Sequence, residues 1–226
     1  MKAIGVVRVL VLAAGSARGL EAQDVATRLE GRVPTSVAHA VQAIAQDAAA
    51  RGLPVELLIQ KALEGGAKGV PADRVIAAVR VVATQLDEAR GALREAGIQA
   101  PSPQAVEGGA YALNAGLNAH QIRDLGRVSQ PPYDPALTLR VAATLTALGV
   151  PAQRGLHLMT RMMHAGRPAN ELRDLPIEVQ VGMARGATAA EAAEALDIGE
   201  DAQGQQGHQG HEGQQGEQDQ PRPRKP

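Results

Sequence analysis

Residues 52–95 read GLPVELLIQKALEGGAKGVPADRVIAAVRVVATQLDEARGALRE, and two features of this stretch decide the expected fold. The first is periodicity. Val75, Val79, Val82, Leu86, Ala89 and Leu93 recur at alternating intervals of four and three, which places all six on one stripe of an α-helix. Asp87, Glu88, Arg90, Arg94 and Glu95 fall mostly off that stripe. The pattern predicts one long helix near 72–95, the longest in the chain, with Gly91 as its weak point. Its apolar stripe suits an intramolecular seam better than a coiled-coil partner surface, because about three heptads is the short end for a coiled coil.

The second feature is punctuation. Gly52-x-Pro54 opens the stretch and Gly69-x-Pro71 follows 17 residues later; Gly149-x-Pro151 and Gly166-x-Pro168 repeat the pattern at the same interval. Relaxing the third position adds Gly116-x-Asn118 and Gly186-x-Thr188. Glycine can take the left-handed conformation that closes a helix. The third residue then starts the next one. Asn118 and Thr188 are N-caps whose capping boxes Gln121 and Glu191 would complete, and Pro54, Pro71, Pro151 and Pro168 are stiff starters with a preset φ. The expected fold class is therefore all-α, an array or bundle of short helical hairpins joined by Gly-x-Pro turns.

GLNAHQIRDL (116–125) and GRPANELRDL (166–175) share Gly, Ala, Arg, Asp and Leu, with Ile122 matched to Leu172, so residues 33–198 are expected to form a helical repeat-like domain. The intervals between successive motifs are irregular and match no named solenoid signature. A second clear helix follows SQPPYDP (129–135), with Asp134 as cap, Pro135 in the first turn and Leu137, Val141, Leu145 and Leu148 as its stripe. An anion nest at the Gly-x-Pro motifs is disfavoured, since no strand precedes them and no Lys-Ser/Thr follows a Gly-rich loop.

Composition excludes several functions. The 226 residues are 44% hydrophobic and 21% charged, enough apolar material for one core, yet the only aromatic residues are Tyr111 and Tyr133. Stacking platforms for single-stranded bases and aromatic cages for quaternary ammonium groups are thereby disfavoured. Net charge is −1 with both signs interspersed, which gives no footprint for a phosphate backbone, so no nucleic-acid partner is expected. Without cysteine there is no disulfide, thiolate nucleophile or thiolate metal site.

Residues 1–22 resemble a secretory signal peptide: Lys2 and Arg8, the apolar run from Val9 to Ala14, then small residues with Ala17 and Ala22 as cleavage positions. Arg8 interrupts the apolar segment, so a buried N-terminal element of a cytoplasmic protein is the alternative. The first reading gives a periplasmic or secreted protein. No stretch reaches the roughly 18 apolar residues of a spanning helix, so no stable membrane span is expected in the mature chain. Residues 199–226 are rich in Gly, Gln, His, acid and Pro, with no aliphatic side chain after Ala202; a disordered tail follows from that composition. His208 and His211 within it are weak metal candidates.

No cofactor is expected, and no catalytic constellation stands out. His157 and His164 lie seven apart, roughly 10 Å along a helix, too far to share one ion; His157 is expected to be partly buried near Leu156, Met159 and Met163, and His164 to sit at a helix C-terminus. His39 and His120 are isolated in sequence. Arg123 with Asp124, and Arg173 with Asp174, recur in the matched motifs and are expected to contact neighbouring helices, because adjacent helical residues do not face one another. Glu64 and Glu107 each precede Gly-Gly-Ala, a resemblance out of register with the Gly-x-Pro pattern. Ser16, Ser36, Ser102 and Ser129 lack a nucleophile-elbow context. The expected function is a noncatalytic helical interaction or structural module of a bacterial-type cell envelope, with protein as partner. The alternatives are an envelope enzyme or small-ligand binder with a pocket between hairpins, and a weak metal-binding or chaperone-like protein acting through the tail.

Overall fold

A computed structural model describes residues 25–197 and shows, among them, ten helices and no strand. In chain order these are α1 (25–29), α2 (Thr35–Ala50), α3 (Glu56–Ala67), α4 (Ala72–Glu95), α5 (Pro103–Ala115), α6 (Ala119–Val128), α7 (Pro135–Ala147), α8 (Ala152–His164), α9 (Ala169–Ala184) and α10 (189–197). The leader-like segment 1–22 and the tail 199–226, with His208 and His211, lie outside the described residues.

Two helices act as hubs. α4 packs against α2, α3, α5 and α6, whereas α7 packs against α5, α6, α8 and α9. The 24-residue α4 buries Val75, Val79, Ala83, Leu86, Ala89, Ala92 and Leu93, so its stripe is an internal seam. Val82 is only partly buried, and Ala83 and Ala92 widen the seam because four helices share it. α7 departs further from the expected stripe. Ala136, Thr138, Leu139, Val141, Ala142, Ala143 and Leu145 are all buried, whereas Leu137 and Leu148 are only partly so. A helix with neighbours on several sides buries most of its circumference and loses one-faced periodicity.

The core runs as one cluster through the array. Each fully buried Leu or Ile contributes about 1.5–3 kcal/mol from area removed from water. With Tyr133 the one aromatic ring in the core of the described residues, helices approach at small residues. A β-carbon at Gly109 of α5 would lie 2.7 Å from the β-carbon of Ala89 on α4, one at Gly126 of α6 would lie 3.0 Å from that of Ala96, and one at Gly108 would lie 3.2 Å from that of Leu139 on α7.

Gly52, Gly69, Gly116, Gly149, Gly166 and Gly186 all have φ between 64° and 109°, the region that L-residues with side chains rarely adopt. Gly31 and Gly97 share that conformation although neither belongs to a Gly-x-Pro motif. Pro71, Pro151 and Pro168 are the N-cap residues of α4, α8 and α9. Pro54 is different: Val55 caps α3 and Glu56 is its first helical residue. The chain there is pinned on both sides, by the buried Leu53 before and by the Arg28–Glu56 ion pair after, so the helix begins beyond the proline. Asn118 accepts from the Gln121 amide at 2.9 Å while the Gln121 side chain accepts from the Asn118 amide at 3.0 Å. Thr188 and Glu191 form the same reciprocal pair, at 3.2 and 2.8 Å.

Candidate functional site

The sequence of α5, PQAVEGGAYALNA, divides its circumference between core and surface. Ala105, Val106, Gly108, Gly109, Ala110 and Ala112 face inward. Glu107, Tyr111 and Asn114 are spaced at four and three, so they form a polar stripe along the other side. The glycines let α5 sink between α4 and α7, while Tyr111 and Asn114 of the stripe remain exposed. Tyr111 is 42% exposed and is one of only five large hydrophobic residues exposed among the described ones.

Two concavities meet on this stripe, and both are lined by Tyr111 and Asn114. The first, about 460 Å³, lies between α3 and α5 with Val82 and Gln85 of α4 as its floor, and Leu57, Gln60, Lys61 and Glu64 as the α3 wall. The second, about 860 Å³, lies between α5 and α7, where Arg140, Ala143, Thr144 and Ala147 form the opposite wall. Together they make an open channel running across α5.

Charge in and around the channel is largely paired; Glu56 and Glu107 line neither concavity. Glu64 receives Lys68 Nζ at 2.5 Å and Lys61 Nζ at 3.0 Å, and these hydrogen bonds hold its carboxyl down to about 2. Glu56 accepts a bidentate pair from Arg28 at 2.7 and 2.7 Å, which lowers its pKa. Glu107 is the exception. Its side chain is only 17% exposed and lies 3.8 Å from Arg140 Nη2, beyond hydrogen-bonding distance. Burial raises its pKa; the Arg140 charge opposes the shift and the negative charge of Glu56 adds to it.

That perturbation has a sign that can be measured. A carboxyl whose pKa is raised by folding binds its proton more tightly in the native state, so its contribution to stability is present in acid and is lost as pH rises through the folded pKa. Glu107→Gln, which cannot ionise, is expected to gain thermal stability relative to the parent as pH increases from about 4 to about 7. Parallel Tm profiles of the two proteins over that range would contradict the assignment.

The channel holds no nucleophile with a positioned base, and among the described residues no group of three His, Asp or Glu side chains is arranged to hold a metal. Its lining offers one aromatic ring, side-chain amides from Gln60, Gln85 and Asn114, the Thr144 hydroxyl, and a cationic edge at Arg140. None of these was singled out in the sequence for binding, since the signal is the junction of four helices; the only local hint was an aromatic residue in a chain with two.

The turn residues Gly52, Pro54, Gly69, Pro71, Gly116, Asn118, Gly149, Pro151, Gly166, Pro168, Gly186 and Thr188 are distributed along the array, and none lines the channel. Arg123 approaches Glu95 at the end of α4, at 3.7 Å, but also contacts its neighbour Asp124 at 3.4 Å. Asp124 stays on its own helix, with His120 at 2.7 Å and Arg127 at 3.4 Å, contrary to the expected inter-helix contact. A carboxylate on so short a side chain is reached more easily by residues one turn away than across a helix interface. Arg173 and Asp174 are exposed and take part in no ion pair among the described residues, because α9 stands near the end of the array with that face toward solvent. His157 is likewise exposed rather than partly buried: Leu158, Met159, Met162 and Met163 fill the inward face of α8 and turn the imidazole outward, 3.5 Å from Asp197. His164 is the last residue of α8, and His39 is exposed.

A third concavity, about 400 Å³, separates α6 from α8; His120, Asp124, Leu125, Leu156 and His157 are among its lining residues. Its two histidines are far apart in sequence and come to one cleft only through the packing of these helices. Comparison with protein-family models, curated proteins and solved structures gave no match to this chain.

Proposed function

We propose that the protein is a noncatalytic docking module that receives an extended segment of a partner protein in the channel across α5, with Tyr111 as the anchor. The observation that carries this reading is the position of Tyr111: an exposed aromatic ring shared by two adjoining open concavities. Tyrosine supplies a large, rigid contact area and a polar tip, and is enriched among residues that dominate binding energy at interfaces. The flanking amides and hydroxyl suit the backbone of an extended chain, which presents donors and acceptors along its length. An enclosed pocket with converging ionisable groups, as a small-molecule enzyme requires, is a different geometry.

The signal-like segment 1–22 supports placing this module in the periplasm or outside the cell. The finer architecture belongs to the same proposal. Helical hairpins punctuated by Gly-x-Pro turns, with α6 and α9 as copies of one unit, are supported by the parallel burial of Ile122 and Leu125 in the first and of Leu172 and Leu175 in the second. Repeat units of this kind present continuous surfaces to partners.

The test is capture from fractionated native cells with the mature chain and its Tyr111→Ala variant. A partner retained from the periplasm or medium by the parent, and retained at least tenfold less by the variant, is the expected result. Equal retention by both proteins would remove Tyr111 from the interface, and full-length chain beginning at Met1 in the cytosolic fraction would defeat the address.

A further inference from the structure

We propose that the outer face of α9 and α10 is a self-association surface, on which a second copy of this chain docks antiparallel about a two-fold axis. This face shares no lining residue with the channel across α5 and does not depend on the docking reading.

The packing of α10 leaves a groove at this end of the array. A β-carbon at Gly182 would lie 2.7 Å from that of Ala192, so α9 and α10 cross closely there. Arg154 reaches Glu194 at 3.0 Å and Arg161 reaches Asp197 at 2.8 Å, which fastens α10 to α8. Beside the crossing lies an open concavity of about 460 Å³, with Ile177 and Val181 on one wall and Ala195 and Leu196 on the other. Ile177 is 61% exposed and Val181 43%, and their spacing of one turn gives a single apolar ridge. The outer face of a terminal unit in an array is ordinarily polar, so an apolar ridge in that position marks a contact surface.

The distribution of exposed apolar side chains selects the occupant. Of the five large ones exposed among the described residues, Ile177, Val181 and Met183 belong to α9, Val81 to α4 and Tyr111 to α5. None lies on α1, α2 or α3, so a head-to-tail stack would set this ridge against a face without apolar anchors. Like face against like buries ridge on ridge and closes with two-fold symmetry. The segment that follows α10 has no aliphatic side chain after Ala202 with which to fill the groove itself.

Charge fixes the direction. Asp174, Glu178 and Arg185 are exposed and share the stripe of Ile177 and Val181, with the acids toward the N-terminal half of α9 and the base at its C-terminal end. The other charged residue in the groove, Glu191, is engaged in the Thr188 capping box. A parallel pairing of α9 with its copy would set like charges together. An antiparallel pairing about an axis between Val181 and Gly182 sets each Glu178 against the Arg185 of the other copy, with the apolar ridges between the two pairs. A face two helices wide and one 16-residue helix long covers on the order of 500 Å² per copy, the small end of specific interfaces, so the dimer is a dissociable one.

The experiment is sedimentation velocity of the full chain from about 5 μM to about 500 μM, the range in which so small an interface dissociates. A monomer–dimer equilibrium is expected. Val181→Asp, Glu178→Arg and Arg185→Glu should each weaken it at least tenfold, with unchanged helical circular dichroism to verify folding. An equimolar mixture of the two charge-reversed proteins should recover dimers at parental strength, because each Arg then meets a Glu across the axis; a change confined to contacts within one chain would not be rescued by mixing. Since the chain has no cysteine, Val181→Cys gives a single thiol, which a short bis-maleimide should join to its copy, whereas Gln46→Cys on α2 should not cross-link. A dimer indifferent to Val181→Asp, or a mixture that does not recover, overturns this interface. A chain that stays monomeric throughout overturns it too: slow labelling of the V181C thiol would then assign the face to segment 1–22, and rapid labelling to a partner of another kind.

Discussion

Replacing Tyr133 with alanine is expected to lower the unfolding free energy by about 3–5 kcal/mol, the range for deleting a buried aromatic side chain. Tyr133 lies in the connection between α6 and α7, is 8% exposed, and points its hydroxyl at the end of α8. The O–H is 2.7 Å from the Arg167 carbonyl and 3.2 Å from the Met163 carbonyl, 34 and 30 residues away in the chain. One side chain thus fastens the α6–α7 connection to the α8–α9 turn, and it provides the one aromatic ring buried among the described residues. Alanine would leave a cavity and remove a donor from two backbone carbonyls. Tyr133→Phe separates the two effects: it keeps most of the packing and should cost about 1 kcal/mol, the net worth of a neutral hydrogen bond. Urea unfolding followed by circular dichroism at the helical band gives both values. An alanine variant within about 1 kcal/mol of the parent would mean that this clasp does not operate in solution.

The second large effect is expected at a glycine. Gly109→Val should destabilise the protein by about 3 kcal/mol, the upper end of the usual range for overpacking a core. A β-carbon there would meet the Ala89 β-carbon at 2.7 Å, and Ala89 is fully buried on the rigid hub helix α4, so neither partner can retreat without moving a helix. Gly91 provides the contrast. It lies within α4 with nothing in the way of a β-carbon, and Gly91→Ala should stabilise by about 0.5–1 kcal/mol through helix propensity alone. Two glycines on adjoining helices therefore respond in opposite directions. If Gly109→Val were as stable as the parent, the α4–α5 crossing would have to be looser than described.

The difference between these sites also explains what could be read in the chain beforehand. The limits of α4 were legible because Ala72 follows a proline N-cap and the helix ends at Glu95 before Gly97, signals carried within a few residues. The seam of α4 was legible because its partners lie to one side of a polar face. α7 was read less well, since Leu139, which is fully buried, lies off the stripe marked by Leu137 and Val141. Nothing local to α7 reveals how many neighbours surround it. Gly31 and Gly97 were missed for the opposite reason: their local conformation is that of the motif glycines, but no Gly-x-Pro spelling accompanies them. The channel and the α6–α8 cleft are further from reach. Tyr111 and Arg140 are 29 residues apart, and His120 and His157 are 37 apart, and only the stacking of helices brings each pair to one concavity.

The placement of the two tyrosines has a spectroscopic consequence. The chain has no tryptophan, so its near-ultraviolet absorption and emission come from Tyr111 and Tyr133 alone. One ring stands in the open channel and the other is sealed against the end of α8. Tyr111→Phe leaves a protein whose emission reports the buried clasp, whereas Tyr133→Phe leaves one whose emission reports the channel. Global unfolding and occupation of the channel can therefore be followed separately by intrinsic light emission, without attaching a dye.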